Sequence, residues 1–163
     1  MSTAETLTVE TPAAREIVLT REFAAPRALV YAAYTRPELL RRWFGPHGHQ
    51  LVECEIDLVV GGNWRYVVQA PDASTMTIRG RFREIVEAER LVSIETNDDC
   101  EAETGTETLS TLTFDERDGR TTLTNTLIFA TQEVRDMMLE LGMQHGMGQG
   151  YERLDTTLAQ VQA

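Results

Sequence analysis

The chain has 163 residues, 42% of them hydrophobic and 25% charged, which suits one domain able to bury roughly two-thirds of its extended surface. A net charge of -11 and a pI near 4.7 exclude the clustered positive charge that nucleic-acid phosphates and anionic bilayers attract, so no nucleic acid and no membrane insertion are expected. All fifteen basic residues are arginine, which removes lysine Schiff-base and lysine general-base chemistry.

Residues 1–14 read as a flexible tail, Thr/Glu-rich, with no apolar run that would make a leader or an anchor. A cytoplasmic protein is expected. Ile17, Leu19 and Phe23 alternate along a first strand. Pro26 opens a short helix from Ala28 to Tyr34, and a second begins with Thr35 as cap and Pro37 in its first turn. Leu39, Leu40 and Trp43 share a side of that helix, which Phe44-Gly45-Pro46 ends.

Val52, Cys54 and Ile56 alternate next, followed by a turn at Gly61-Gly62. Trp64, Tyr66 and Val68 then share one strand face. Met76, Ile78, Gly80 and Phe82 alternate against Arg79, Arg81 and Arg83, which mark the solvated side. Glu87 to Arg90 is a turn before a strand from Leu91 to Thr96, and Asn97 to Gly105 is an acidic connection. Strands over Thr106–Phe114 and Arg120–Phe129 flank an Asp-Gly turn. Short connections favour an antiparallel meander.

Thr131 is the expected cap of the closing helix. Val134, Met137, Met138 and Leu141 form its first apolar stripe, and Met147, Tyr151, Leu154 and Leu158 its second. On an ideal wheel the two are offset by roughly 120°. Four glycines, Gly142, Gly146, Gly148 and Gly150, lie between or beside them. They permit either a bend or a close approach of the helix to its neighbours, the bend being preferred.

A sheet covered by one helix leaves interior space whose lining decides its use. Trp64 and Tyr66 face inward, where they either contact an apolar ligand or complete the core. Trp43 and Phe44 either form a mouth or pack the short helices. Met138, Leu141, Met147 and Tyr151 line the helix side, and methionines adapt to irregular ligands as readily as to ordinary packing. Asn125 is a polar residue at an inward position, and Ser110 is one if Leu112 and Phe114 form the inward set with it; each then needs partners from protein, water or ligand. His145, Glu95 and Tyr66 are the candidates for acid–base work.

No metal site is expected, because His47 and His49 lack a third ligand. No phosphate loop is present: Gly61-Gly62 precedes a strand, so no cofactor is expected. Cys54 reads as a small buried hydrophobe, with a disulfide to Cys100 the alternative.

Several fragments carry a family resemblance by their order and spacing: Thr20 to Phe23, Ala25-Pro26, Leu39 to Pro46, Cys54 to Asp57 and Gly61 to Arg65. Gly80 to Ile85, Glu89 to Val92, Gly142-Met143 and Gly150 to Leu154 continue it. The chain resembles the SRPBCC (START-like) superfamily, and within it the group similar to the activator of the ninety-kilodalton heat-shock protein ATPase (AHSA1-like). Where relatives carry Trp after the Gly150 position, Tyr151 stands here.

The resemblance implies an α+β helix-grip fold (START-like, Bet v 1-like) over residues 15–160. About seven antiparallel strands would wrap a long C-terminal helix, with two short helices after the first strand. It implies a pocket for a small hydrophobic or amphipathic ligand. A cyclase-like enzyme and a co-chaperone-like interaction module are the alternatives, and a homodimer or a chaperone partner fits the family.

Overall fold

The computed structural model describes residues 6–97 and 107–163. In chain order the elements are β1 (Thr8–Glu10), β2 (Glu16–Phe23), α1 (Arg27–Thr35), α2 (Pro37–Trp43), β3 (Gln50–Ile56), β4 (Asn63–Gln69), β5 (Thr75–Val86) and β6 (Arg90–Asn97). They continue with β7 (Thr108–Arg117), β8 (Arg120–Ile128), α3 (Gln132–Glu140) and α4 (Met143–Gln162). One eight-stranded antiparallel sheet runs in the order β1-β2-β8-β7-β6-β5-β4-β3. From β3 to β8 the chain meanders strand by strand, while α1 and α2 carry it from β2 to the far edge. This is the expected α+β helix-grip arrangement, with one strand more than expected. The extra strand is β1, inside the segment read as tail, where Thr8 pairs with Thr20 and Glu10 with Val18. Three residues with no apolar alternation carry no sequence signal, and only the β2 edge orders them.

Period-two burial fixes which face meets the helices. Ile17, Leu19, Arg21 and Phe23 are buried along β2, and Thr121, Leu123, Asn125 and Leu127 along β8. In β3 the alternation expected at Val52, Cys54 and Ile56 is corrected. A bulge between Leu51 and Glu53 turns Leu51 inward with Cys54, because one extra residue shifts the phase. The last hairpin closes on Asp118-Gly119 alone, with φ of 54° and 77°, so β7 runs on to Arg117, into the expected turn, while β8 starts at Arg120 as expected. Thr35 is also corrected: it ends α1, its hydroxyl donating to the Tyr31 carbonyl at 2.9 Å, and Arg36 stands at the N-cap of α2.

The closing helix is broken into α3 and α4, the preferred of the two expectations. Thr131 caps α3, its Oγ1 accepting from the Val134 amide at 3.1 Å, and Gly142 ends it at φ 84°, a left-handed value natural to glycine. Val134, Met138, Leu139 and Met143 pack on the cluster of Ile17, Leu19, Leu127 and Phe129. After the break, Tyr151, Leu154 and Leu158 pack into the larger core with Phe23, Val30, Trp43 and Phe114. Met147 touches both clusters.

Two arginines fasten α4. Arg21, 3% exposed, donates from both Nη atoms to the Asp155 carboxylate at 2.7 and 2.6 Å, a forked pair tying helix to sheet. Arg153 Nη1 donates to the carbonyls of Phe44, Gly45 and Pro46 at 3.3, 2.9 and 3.1 Å. A Cβ on Gly150 would lie 3.4 Å from the Gly45 carbonyl oxygen, so the helix rides directly on that turn. The second cysteine, Cys100, and the acidic connection fall outside the described residues; Cys54 is a free buried thiol. No helix among the described residues is long and apolar enough to cross a membrane.

Candidate functional site

The helix-facing side of the sheet differs along its length. Around Phe23, Leu123 and Phe114 it is closed by Val30, Tyr31, Tyr151, Leu154 and Leu158. Toward the β4–β7 end, Ile56, Ile78, Glu95 and Thr108 face the same side yet are only half-buried. Four of these inner positions form a register row, Trp64, Gly80, Glu95 and Thr108 on consecutive strands. Trp64 reaches over its neighbour: a Cβ on Gly80 would come within 2.2 Å of the indole Cε2 and Cζ2. On its other side Trp64 stacks on Tyr66, with centroids 4.6 Å apart and planes 28° apart. Phe44 meets Tyr66 edge-on at 5.1 Å. Glycine at position 80 therefore lets an aromatic slab reach toward Glu95.

A line of polar groups runs diagonally from that carboxylate across an otherwise apolar surface. Glu95 of β6 is hydrogen-bonded to Ser110 of β7. The Ser110 hydroxyl also donates to Asn125 Oδ1 of β8 at 3.4 Å. Asn125 in turn reaches the Tyr151 hydroxyl of α4, and the Tyr34 hydroxyl of α1 donates to Tyr151 at 3.4 Å. Period-two alternation puts Ser110 and Asn125 inward, and the strand register steps each one row from the last.

Ser110 has one proton and two acceptors. With Glu95 ionised, the hydroxyl is drawn to the carboxylate at the expense of Asn125. With Glu95 protonated, the carboxylic acid donates to Ser110 and the line is satisfied in one direction. Although Glu95 keeps part of its surface open, its carboxyl group is enclosed by protein. Burial raises its pKa to about 7, with the Ser110 bond holding it back. Burial likewise raises Tyr34 and Tyr66, Glu95 adding to each. It raises Tyr151 as well, while the bonds to Tyr34 and Asn125 lower it again. None of the ion pairs among the described residues involves Glu95.

The residues singled out from sequence divide between this site and other places. Trp64, Tyr66, Glu95, Asn125 and Tyr151 come together. Phe44 borders them through Tyr66. Trp43 is a core residue, its indole N–H donating to the Ala33 carbonyl at 3.0 Å. Met138 packs in the second cluster and Met147 bridges the two. Leu141 is 69% exposed at the helix break, and His145 is exposed one turn into α4. Neither reaches the polar line, because the break at Gly142 turns that stretch outward. Tyr34 is the member sequence reasoning missed. It sits in a short helix without a distinguishing neighbour, and only the packing of α1 against α4 brings its hydroxyl to Tyr151.

Two open clefts stand out among the described residues, and neither lies on the inner face. One, of about 500 Å³, lies between α2 and α4 beside Arg42, His47 and Glu152. The other, of about 480 Å³, lies on the outer face against Arg65, Arg79, Arg81 and Thr96. The described residues contain no cluster of metal-ligating side chains.

Solved structures share the fold over nearly the whole chain. A crystal structure from Rhodobacter sphaeroides is 32% identical, covers 94% of this chain and 99% of its own, and superposes with a TM-score of 0.87. One from Nitrosomonas europaea is 26% identical, with coverage of 93% and 99% and a TM-score of 0.81. An HSP90 activator from Plasmodium falciparum shares the fold at 23% identity, with coverage of 70% and 72% and a TM-score of 0.53. A comparison with curated proteins finds no match. The model of one family, the Activator of Hsp90 ATPase homolog 1-like proteins, matches residues 24–159. With its helix-grip sheet and that span of match, the chain belongs to this family.

Proposed function

We propose that this protein binds a small amphipathic molecule on the inner face of the sheet, at the end where half-buried Ile78, Glu95 and Thr108 adjoin the buried Trp64 and Tyr66. The observation that carries this reading is the diagonal line from Glu95 through Ser110, Asn125 and Tyr151 to Tyr34. Stability alone gives no reason for it, since apolar side chains of similar volume would hold sheet and helix together as well. A polar line beginning at a half-open position supplies orientation, while the stacked Trp64–Tyr66 slab supplies apolar contact. The cyclase-like alternative would draw on Glu95 and Tyr66, and His145 stands outside that constellation.

Native mass spectrometry of freshly purified protein, paired with amide and indole NMR of the delipidated chain, tests the reading. A retained small molecule whose re-addition moves the Trp64, Glu95 and Ser110 signals is the expected result. Protein with no bound species, and no inner-face shifts with any amphiphile tried, would overturn it.

A protein-interaction role has its own support at the β3–β4 loop. Leu58, Val59 and Val60 are 37%, 54% and 66% exposed although the loop is held firmly. The Gly61 amide donates to the Phe82 carbonyl at 2.8 Å, and the Phe82 amide to the Gly62 carbonyl at 3.0 Å. Three aliphatic side chains presented on a fixed loop suit contact with an apolar surface. Loss of partner binding in Val59→Ser with Val60→Ser, at unchanged melting temperature, is the corresponding test.

A further inference from the structure

We propose that the cleft between α2 and α4 is a second site, separate from the inner face, which binds a small phosphomonoester between the guanidiniums of Arg42 and Arg153. The cleft is open to solvent and measures about 500 Å³, within the range of small-molecule sites. Spacing of three and four residues builds one wall, since Arg153, Thr156, Thr157 and Gln160 share a face of α4. Arg42 comes from the other wall, in the last turn of α2, and its Nη2 donates to Gln160 Oε1 at 2.5 Å. At one end His47 Nε2 and Glu152 Oε1 lie 2.9 Å apart.

The two guanidiniums are what ask for an anion. Neither is in an ion pair among the described residues. The partner of Arg42 is a neutral amide, and those of Arg153 are the three main-chain carbonyls of the Phe44–Pro46 turn. Those carbonyls all bind Nη1, so Arg153 is held in place before any ligand arrives, its other N–H groups uncommitted. Such fixing lowers the ordering cost of binding. Burial disfavours its charge and lowers its pKa, and an anion in the cleft supplies the missing counter-charge. Arg42 and Arg153 approach from opposite walls, so one planar carboxylate cannot be forked by both. A tetrahedral phosphate accepts from several directions and carries nearly two charges. The exposed Thr156 adds a hydroxyl to the same wall. One carboxylate, Glu152, lines the cleft and opposes the anion from its His47 end. The volume exceeds what a bare phosphate fills, which favours an ester. The chain as a whole carries a charge of -11 and repels anions from a distance, so saturable uptake requires a local site.

The test is a titration of the full chain at pH 8 with phenyl phosphate, benzoate and inorganic phosphate at matched ionic strength, followed by the arginine Nε–Hε and tryptophan indole NMR signals. Phenyl phosphate is expected to shift the Arg42 and Arg153 signals saturably, to bind roughly tenfold more tightly than benzoate, and to leave Trp64 in place. Arg42→Gln, which alters an exposed side chain bonded to Gln160 alone, should weaken it roughly tenfold. Glu152→Gln should tighten it about threefold by removing the opposing charge. Arg65→Gln, on the outer face of the sheet and paired with Glu53, should change nothing. Benzoate binding as tightly as phenyl phosphate would overturn the phosphate preference, and tighter binding of inorganic phosphate would overturn the ester. Unsaturable shifts, equal weakening by Arg42→Gln and Arg65→Gln, or shifts confined to Trp64 would overturn the site itself. Each of these outcomes leaves the inner-face reading to its own test.

Discussion

Phe23 and Glu95 lie on the same side of one sheet, and their surroundings differ in every respect that matters for function. Around Phe23 the side chains interlock: Tyr151 meets it edge-on at 5.5 Å, Leu154 and Val30 are wholly buried, and Arg21 lies 4.8 Å over the ring while forked to Asp155. Around Glu95 a glycine, a serine and a threonine occupy the neighbouring inner positions, and Ile78 and Thr108 are only half-buried. Small and polar residues replace bulky ones where the sheet runs out beyond α4. The packed end supplies cohesion, and the loose end is free to be specialised. A fold that divides its inner face this way can change what it binds without changing what holds it together.

The sharpest way to break that division is to damage the packed end. Leu154→Ala removes a fully buried side chain from the centre of the α4 contact, and a cavity there should cost about 3–4 kcal/mol. For a chain of this size that corresponds to a fall in melting temperature of roughly 6–16 °C, measured by scanning calorimetry. Signals from Trp64 and Glu95 should move little below the transition. If they shifted as much as those around Phe23, the two ends would be one cooperative structure and the division would fail.

The smaller-scale counterpart is Gly80→Ala at the loose end. The new Cβ would stand 2.2 Å from the Trp64 ring, so the indole must leave its seat and its stack on Tyr66. Overpacking of this kind costs about 1–3 kcal/mol, less than the leucine truncation. Its larger effect should be on the inner face: near-ultraviolet dichroism from the stacked pair should collapse, and affinity for any amphiphile that binds there should fall at least tenfold. Retained affinity would place the ligand elsewhere.

Much of this division was legible from sequence and some was not. Alternation placed Trp64, Tyr66 and Asn125 inward, because strand side chains repeat every two residues whatever the tertiary context, and left Ser110 to the phase of Leu112 and Phe114. The offset stripes and the glycines from Gly142 to Gly150 left a bend and a close approach both open, with the bend preferred because each half can then turn its own stripe to the sheet. What alternation cannot supply is pairing between distant segments. Tyr34 joins the line only through the docking of α1 on α4, and the β3 bulge reversed the phase of Val52 with no glycine or proline to mark it. His145 is the one histidine of the closing helix, which made it an acid–base candidate in the sequence. Its side chain is exposed because a helix start, invisible to composition, determines its direction.

The finest discrimination between the two ends is electrostatic. Glu95 titrates at about 7 in the folded protein against roughly 4.3 in an unfolded chain. Between those values the native state holds a proton that the unfolded state has lost. Stability from this group is therefore complete below about pH 4.3 and declines as pH rises through about 7. Glu95→Gln keeps the volume and removes the titration. At pH 8 it should melt higher than wild type by about 3–6 °C, equivalent to roughly 1–2 kcal/mol once partial solvent access is allowed for. At pH 4 the two melting temperatures should coincide.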